Sequence, residues 1–326
     1  MVSTATDERK SSHSTASQVV RGEYPGMKDT VSEPARTVEA PRPTLFQVVP
    51  CSDGAGDIVA VGEGVRGWSV GDRVMGNFTQ TFVAGHYDEA AYVDSALGAN
   101  ADGMLTQYKI LPHYGLVRIP DHLSFDEAST LPCAGLTAWN ALYGEVGNIV
   151  CQPGHTVVLL GTGGVSCFGA QFAIAQGAQA IITSSSDDKL ESVAKHISGS
   201  RNGGGAGVLI THNYKDDPDW EKTVLKHTKE GAEHVLEVGG PGTVEKSFAA
   251  VRQGGVITSI GFVGSKPGES PPNISRLALF KGVIFRGILI GNRRQFEAMC
   301  NAIAISKMKP LISATFDFED AKKVWG

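Results

Sequence analysis

The sequence predicts an α/β fold in which a doubly wound parallel sheet is covered by helices on both faces. From residue 156 onward, short apolar segments alternate strictly with segments of helical spacing. Each apolar segment is continuous, which is typical of a strand that is buried on both faces. A third observation, a glycine-rich loop after the first of these strands, indicates where such a sheet binds a ligand.

Length, charge and cysteine content limit the kinds of protein that this chain can be. The 326 residues suffice for about two domains. A net charge of −5 argues against nucleic acid or an anionic membrane as a partner. Apolar segments are too short to cross a membrane, and the N-terminus lacks the apolar core of a signal peptide. We therefore expect a soluble, cytoplasmic protein with reduced thiols, because no CxxC pair links its cysteines, Cys51, Cys133, Cys151, Cys167 and Cys300.

The first part of the chain is predicted to be β-rich. Residues 1–18 are polar and Ser/Thr-rich, so we expect a disordered tail there. Short apolar segments bounded by glycine and turn residues then predict strands: IVAVG (58–62), DRVMG (72–76), QYKIL (107–111) and GLVRIP (115–120). Helical spacing follows over residues 123–147, with a break at Pro132.

The second part alternates strand and helix. The apolar segments predict strands at 156–160, 180–184, 208–212, 234–239, 255–261 and 282–290. The segments between and after them predict helices at 164–176, 189–197, 219–228, 244–252 and 294–305.

The glycine loop predicts a dinucleotide site. Gly161, Gly163 and Gly164 lie between the first strand and the first helix of the alternating part. Glycine lets the backbone approach a pyrophosphate, and the helix N-terminus supplies free N–H groups. The third glycine position of the GxGxxG pattern is Ser166, so the strand–loop–helix context supports the prediction more than the motif does. A glycine turn that binds no ligand is the alternative interpretation.

The end of the second strand favours NADP(H). Sites for NAD usually place an acidic residue there, whereas this sequence has Ser184 and Ser185. A hydroxyl can bond a 2′-phosphate, and Lys189 lies one turn further on. Two aspartates, Asp187 and Asp188, argue for NAD(H) unless they cap the next helix. An ordinary solvated lysine is the alternative for Lys189.

Several segments together resemble the medium-chain dehydrogenase/reductase superfamily. They are PCSDGAGDIVAVGEGVRGWSVGDRVMG (50–76), GLVRIPDHLSFDEASTLPCAGLTAWNAL (115–142), GTGGVS (161–166) and EVGGPGTVEKSFAAVRQGGVITSIG (237–261). The resemblance covers most of residues 49–310 and is nearest to the zinc-independent, quinone-oxidoreductase-like alcohol dehydrogenases. It implies a GroES-like domain followed by a Rossmann domain, with the substrate in the cleft between them.

The resemblance also implies a set of cofactor contacts. The pyrophosphate would be held by Gly161, Gly163, Gly164, Val165 and Ser166. The adenosine ribose and its phosphate would face Ser184, Ser185, Lys189 and Tyr214. The nicotinamide side would be lined by Gly239, Ile260, Gly261, Phe262 and Thr137, and Arg293 would close over the cofactor. Turn geometry is the alternative for the glycines, and surface packing is the alternative for Tyr214 and Arg293.

The sequence argues against a catalytic zinc. The zinc-ligating family motif GHExxG falls on CSDGAG (51–56), which puts Ser52 and Asp53 at the His and Glu positions. A hydroxyl is a poor zinc ligand, so we expect no metal site, and Cys133 is interpreted as a buried thiol. A zinc alcohol dehydrogenase is the disfavoured alternative. Without zinc another group must stabilise the oxyanion, and the sequence does not identify the catalytic donor.

The domain prediction follows from these segments. A partial GroES-like domain would cover residues 19–122, with 311–326 returning to it, and a Rossmann domain would cover 123–310. Strands of the family's β-rich domain are expected to be missing at both ends. The resemblance implies hydride transfer between NADP(H), or NAD(H), and a small carbonyl, alcohol, enone or quinone. A catalytically weak NADPH-binding or interaction protein is the alternative. The apolar segment 282–290 suggests a homodimer.

Overall fold

The computed structural model describes residues 17–23, 48–87, 89, 95–144, 149–199, 207–261 and 272–321, with the backbone alone for residues 17–23. None of the helices in this part of the chain is both long and apolar enough to span a membrane.

The first domain is built on a five-stranded antiparallel sheet. Its strands are β1 (Ser17–Glu23), β2 (Ala55–Val61), β3 (Arg73–Gly76), β4 (Tyr108–Pro112) and β5 (Leu116–Arg118). Their order across the sheet is β4-β1-β2-β3-β5. One face buries a cluster that includes Ile58, Val74 and Leu111, because every second residue of a strand points to the same face.

Strand β1 was not predicted, yet it lies inside the sheet. It pairs with β2 on one side and β4 on the other. Ser17 and Gln18 are therefore paired strand residues, although the predicted disordered tail extends to residue 18. Residues 1–16 lie outside the part of the chain that the structure describes, so the tail stays a prediction there.

The break predicted at Pro132 is a single wide helical turn. Helix α1 (Phe125–Ser129) begins with a capping box between Ser124 and Glu127. A π-helical turn (Leu131–Gly135) follows, and helix α2 (Leu136–Tyr143) continues from it. Proline has no N–H to donate, so the local hydrogen-bond pattern is interrupted there. The turn brings Cys133 next to the first domain.

The second domain is a six-stranded parallel sheet. Its strands are β6 (Thr156–Leu159), β7 (Gln179–Ser184), β8 (Leu209–Asn213), β9 (Ala232–Glu237), β10 (Val251–Ser259) and β11 (Ile284–Gly287). The intervening and following helices are α3 (Gly164–Ala175), α4 (Asp187–Gly199), α5 (Trp220–His227), α6 (Val244–Ala250), α7 (Ile274–Lys281) and α8 (Arg293–Ser306). The predicted fold class is confirmed.

The strand order fixes where a ligand binds. It is β11-β10-β9-β6-β7-β8, so the chain direction across the sheet reverses between β6 and β9. Open parallel sheets bind ligands outside the carboxyl ends of their strands at such a switch point.

Two details of this domain differ from the prediction. Helix α7 lies in a stretch with no strong pattern, where none of its residues is buried. The last strand covers 284–287 rather than 282–290. Ile290 has φ of +55°, which extended strands do not adopt.

Candidate functional site

The glycine loop leaves an open space beyond the end of β6. Gly161 has φ of +76°, and its N–H donates to Thr183 Oγ1 at 3.2 Å. A Cβ atom added at Gly161 or Gly163 would meet no protein atom within 4 Å. Positive φ explains glycine at 161, whereas at 163 the open side is what a closely approaching pyrophosphate needs.

Helix α3 presents its N-terminus to this space. Its N-cap is Gly163, and no side chain of the described residues caps it. The first N–H groups of the helix can therefore bind an anion, with the helix dipole adding to the attraction. These observations fit the pyrophosphate of a dinucleotide.

The two remaining residues of the predicted pyrophosphate loop face the protein. Ser166 is buried, and its hydroxyl donates to the carbonyl oxygen of Leu160 at 2.8 Å. Val165 packs against the main core. The Ser166 hydrogen bond thus links the start of α3 to the end of β6. This link holds the glycine loop in its conformation.

The three serines after β7 play different roles. The buried Ser184 hydroxyl lies 3.1 Å from Thr162 Oγ1 and accepts the N–H of Ser186 at 3.3 Å. Ser185 is half-buried. The Ser186 hydroxyl accepts the N–H of Lys189 and caps α4. The capping role considered for Asp187 therefore belongs to Ser186, and Asp187 instead accepts the Asn213 side-chain amide at 2.9 Å.

A cavity connects the glycine loop with α4. It has a volume of about 360 Å³, and Thr162, Gly164 and Lys189 line it. On the neighbouring strand, the N–H of Tyr214 donates to the carbonyl oxygen of Ser184 at 3.0 Å. Three predicted contacts for the adenosine end, Ser184, Lys189 and Tyr214, thus surround one corner of the sheet.

Lys215 is a further cation at this corner that the sequence prediction omitted. It is exposed, and its N–H donates to Asn213 Oδ1 at 3.0 Å in the bend after β8. Its position directly after Tyr214 was the available signal. Asp187 and Asp188 are also exposed here, so the corner carries both signs of charge.

The predicted nicotinamide side contains Glu237, which the sequence prediction omitted. This carboxylate is fully buried at the end of β9. It accepts the N–H groups of Gly239 at 2.8 Å and Gly240 at 2.9 Å, and the hydroxyls of Thr243 and Ser247. An acidic residue ending a buried strand before two glycines was the signal. Glu237 therefore fixes the turn in which Gly239 lies.

The end of β10 lies against the same turn. The N–H of Ile260 donates to the carbonyl oxygen of Glu237 at 2.8 Å. A Cβ at Gly261 would lie 2.9 Å from the Val238 carbonyl oxygen, so a side chain there would force the two strand ends apart. Phe262 lies outside the described residues. Ile260 and Gly261 therefore lie against the end of β9 at the carboxyl edge of the sheet, and their contact with a nicotinamide stays a prediction.

Thr137 and Arg293 occupy different surroundings. Thr137 is buried within α2. Arg293 begins α8, and its N–H donates to the Phe82 carbonyl oxygen of the first domain at 2.9 Å. Its guanidinium pairs with Glu297 at 2.6 Å, and its buried Nε has no partner among the described residues. Arg293 is thus at the junction of the two domains with one donor unused.

At the sequence positions of the family's zinc-ligating motif, a carboxyl group is held by two hydrogen bonds. Ser52 donates to Asp53 Oδ1 at 2.6 Å, and the Cys133 N–H donates to Asp53 Oδ2 at 3.1 Å. Burial raises the pKa of Asp53 to about 6 against these two hydrogen bonds. Burial, with the charge of Asp53, also raises the pKa of Cys51 to about 12 and the pKa of Cys133 well above its usual range.

This donor set does not fit a zinc ion. Both carboxylate oxygens of Asp53 accept hydrogen bonds, and a hydroxyl is a poor zinc ligand. Among the residues that the structure describes, the one group of three or more converging His, Cys, Asp or Glu ligands lies elsewhere.

Two family models match this chain. The model of the alcohol dehydrogenase GroES-like domain matches residues 15–121, and that of the zinc-binding dehydrogenase matches residues 164–304. A zinc-type alcohol dehydrogenase-like protein of Schizosaccharomyces pombe is 41% identical over 289 residues, covering 87% of this chain and 80% of that protein. An alcohol dehydrogenase of Geobacillus stearothermophilus is 30% identical, covering 81% and 75%.

Two solved structures have the same fold as this chain. One, described as a candidate alcohol dehydrogenase from Sinorhizobium meliloti, superposes with a TM-score of 0.73 at 32% identity and covers 91% of this chain and 83% of its own. A quinone oxidoreductase from Pseudomonas syringae gives a TM-score of 0.66 at 26% identity, covering 93% and 84%. With an antiparallel first domain, a parallel second domain and an open glycine loop between strand and helix, the chain belongs to the medium-chain dehydrogenase/reductase superfamily.

Proposed function

We propose that this chain is an NADP(H)-preferring oxidoreductase that transfers hydride to or from a small carbonyl, alcohol, enone or quinone without a catalytic zinc. The main support for this proposal is the open glycine loop at the N-terminus of α3, where a pyrophosphate fits. Relatives named alcohol dehydrogenase, quinone oxidoreductase and acryloyl-coenzyme A reductase support this substrate range. The bound nicotinamide supplies or accepts the hydride.

The preference for NADP(H) rests on the corner between β7 and β8. Ser185 stands where a carboxylate would repel a 2′-phosphate, and Lys189 borders the cavity beside the glycine loop. The exposed Lys215 adds a second positive charge. NAD(H) is the second candidate, and the exposed Asp187 and Asp188 favour it.

Zinc-independence rests on the donor set around Asp53. The hydroxyl of Ser52 is a poor zinc ligand, and both carboxylate oxygens of Asp53 already accept hydrogen bonds. In place of a metal, Ser52 and Asp53 are the groups that can hold or move a proton at this position. The buried carboxyl keeps the Ser52 hydroxyl oriented.

The test is a fluorescence titration of the purified protein with NADPH and NADH, followed by turnover of quinones, enones and aldehydes. Both are measured before and after chelator treatment. We expect tighter binding of NADPH and turnover that survives removal of metal. Equal or tighter binding of NADH would overturn the preference, and activity that returns only with added zinc would overturn zinc-independence. NADPH binding without any turnover would identify a nucleotide-binding protein.

A further inference from the structure

Three potential metal ligands converge at the end of the parallel sheet opposite the glycine loop. Cys151 and His155 precede β6, and His234 lies near the start of β9. One ligand atom from each residue lies within 4.8 Å of the others. Strands β6 and β9 are neighbours, with Val157 paired to His234, so the fold itself brings the three residues together.

The two imidazoles have the spacing of ligands that share one ion. Nδ1 of His155 lies 3.3 Å from Nε2 of His234. Two nitrogens bound to tetrahedral zinc at about 2.0–2.1 Å are about 3.3–3.4 Å apart. Nδ1 of His155 also accepts the N–H of Gln152 at 3.3 Å, so this nitrogen carries a lone pair. The two nitrogens share one proton in a hydrogen bond, and a metal ion would take the place of that proton.

Hydrogen bonding accounts for only one of the two ring nitrogens of His234, because Nε2 is paired with His155. The side chain of His234 is 1% exposed, and its Nδ1 has no partner among the described residues. Burial, and then the nearby His155, Arg252 and Arg286, lower the pKa of His234 to about 3. The ring is therefore neutral at physiological pH, which is the form that coordinates metals. A buried neutral imidazole facing a second imidazole and a thiol is chemically suited to zinc.

The third ligand supplies negative charge on binding. Cys151 is buried, and burial together with the charge of Glu233 raises its pKa to about 12. The free side chain is thus a thiol, and coordination would release its proton to solvent. Glu233 lies beside the cluster, where it accepts the Thr156 N–H at 2.7 Å and pairs with Arg252 at 3.3 Å. The negative charge of Glu233 is offset by the Arg252 guanidinium. The thiolate of Cys151 therefore supplies the negative charge that balances the zinc ion.

We propose that Cys151, His155 and His234 form a zinc site, with water as the fourth ligand. Zinc binding replaces water molecules of the hydrated ion by two imidazole nitrogens and one thiolate, and the thiol proton passes to solvent without any change of oxidation state. The ion would fasten the segment before β6 to strand β9. Because the glycine loop is at the other end of β6, the role is structural rather than catalytic, and the proposal does not depend on the function proposed above.

The test uses the full chain after chelator treatment. Zinc affinity is measured by competition with a chromophoric chelator, and cobalt is used as a spectroscopic probe of the ligands. We expect one equivalent of zinc to bind and to raise Tm. Cobalt should give tetrahedral absorption together with a thiolate-to-cobalt charge-transfer band. NADPH affinity should stay the same with and without zinc.

Variants assign the ligands. Cys151→Ser should abolish the charge-transfer band, whereas Cys300→Ser, a matched buried thiol on α8, should retain it. His155→Asn changes the least buried ligand, so it remains informative if Cys151→Ser fails to fold. We expect it to weaken zinc binding by about 10-fold or more. Absence of one-to-one binding at micromolar zinc, or a band that persists in Cys151→Ser and disappears in Cys133→Ser, would overturn the proposal.

Discussion

The hydroxyl of Ser52 donates a 2.6 Å hydrogen bond to Oδ1 of Asp53. The other carboxylate oxygen accepts the Cys133 N–H, which comes from the π-helical turn before α2. One side chain thus joins the first domain to the segment that leads into the second. The pair is therefore a structural link between the two domains.

Asp53 should make stability depend on pH. Burial raises its pKa from 3.8 to about 6, so the folded state holds the proton more tightly than the unfolded chain. This contribution is complete below pH 3.8 and is lost as the pH rises through about 6. The loss should be about 2–3 kcal/mol, because one unit of pKa shift corresponds to about 1.4 kcal/mol.

Urea unfolding between pH 4 and pH 7 measures this effect. Asp53→Asn should remove this part of the pH dependence, and Asp57→Asn on β2 is the matched control. The assignment fails if Asp53→Asn and the native protein lose the same free energy of unfolding over this range.

Gly161→Ala should separate nucleotide binding from stability. The added Cβ would enter the open space of the loop at a backbone φ of +76°. We expect the Kd for NADPH to rise by about 10-fold or more, with a stability loss of about 1–2 kcal/mol. Gly154→Ala has φ of +82° and equally open surroundings before β6. This control should lose similar stability but bind NADPH normally, and equal weakening of NADPH binding in both variants would contradict the loop's role.

Lys189→Gln should reduce the preference for NADPH. The lysine borders the cavity beside the glycine loop, and its charge would act on a 2′-phosphate but not on a hydroxyl. We expect the Kd for NADPH to rise by about 3- to 10-fold with that for NADH unchanged. Lys195→Gln, also exposed on α4, is the control. Parallel changes for both cofactors would show that Lys189 acts on helix stability instead.

Glu237→Gln should destabilise the turn at the end of β9. The native carboxylate accepts four hydrogen bonds from Gly239, Gly240, Thr243 and Ser247. An amide turns one acceptor into a donor, so we expect a loss of about 1–3 kcal/mol in the free energy of unfolding. Glu245→Gln on the exposed face of α6 should cost almost nothing. Urea titration measures the free energy of unfolding of both variants. Equal stability of the two would show that the turn does not depend on the charge of Glu237.

The edge of the parallel sheet should form a homodimer. Strand β11 is the last strand of the sheet, and Leu279 and Phe280 on the preceding helix are 78% and 74% exposed. Unpaired strand edges and exposed apolar side chains favour association. Light scattering should give the mass of a dimer, and the double substitution Leu279→Glu and Phe280→Glu should give a monomer. A monomeric native protein would rule this out.

The sequence predicted most of the parallel sheet because its strands are continuous apolar segments between glycines. The loop at Gly161 was predicted for the same reason, since its chemistry is local. Strand β1 was missed because its partners, residues 55–61 and 108–112, are distant in the chain. Glu237 was missed because its structural role depends on hydrogen-bond donors that come together only in the folded turn.

The Cys151, His155 and His234 cluster shows the same limit more clearly. His155 and His234 are 79 positions apart, and no short motif joins them. They meet because parallel pairing of β6 and β9 aligns their amino ends. Metal-ligand spacing in the sequence reveals sites on single loops and helices, whereas sites that a sheet assembles become visible only with its strand order.

The position of β1 also constrains how the protein is made. It leaves the ribosome before its partners, yet it pairs with β2 on one side and with β4 on the other, where Ser17 faces Pro112. The first domain therefore cannot complete its sheet until the strand at 108–112 has been synthesised, and until then one edge of β1 remains unpaired. Pausing of translation before Pro112 would prolong the time for which this edge of β1 stays open.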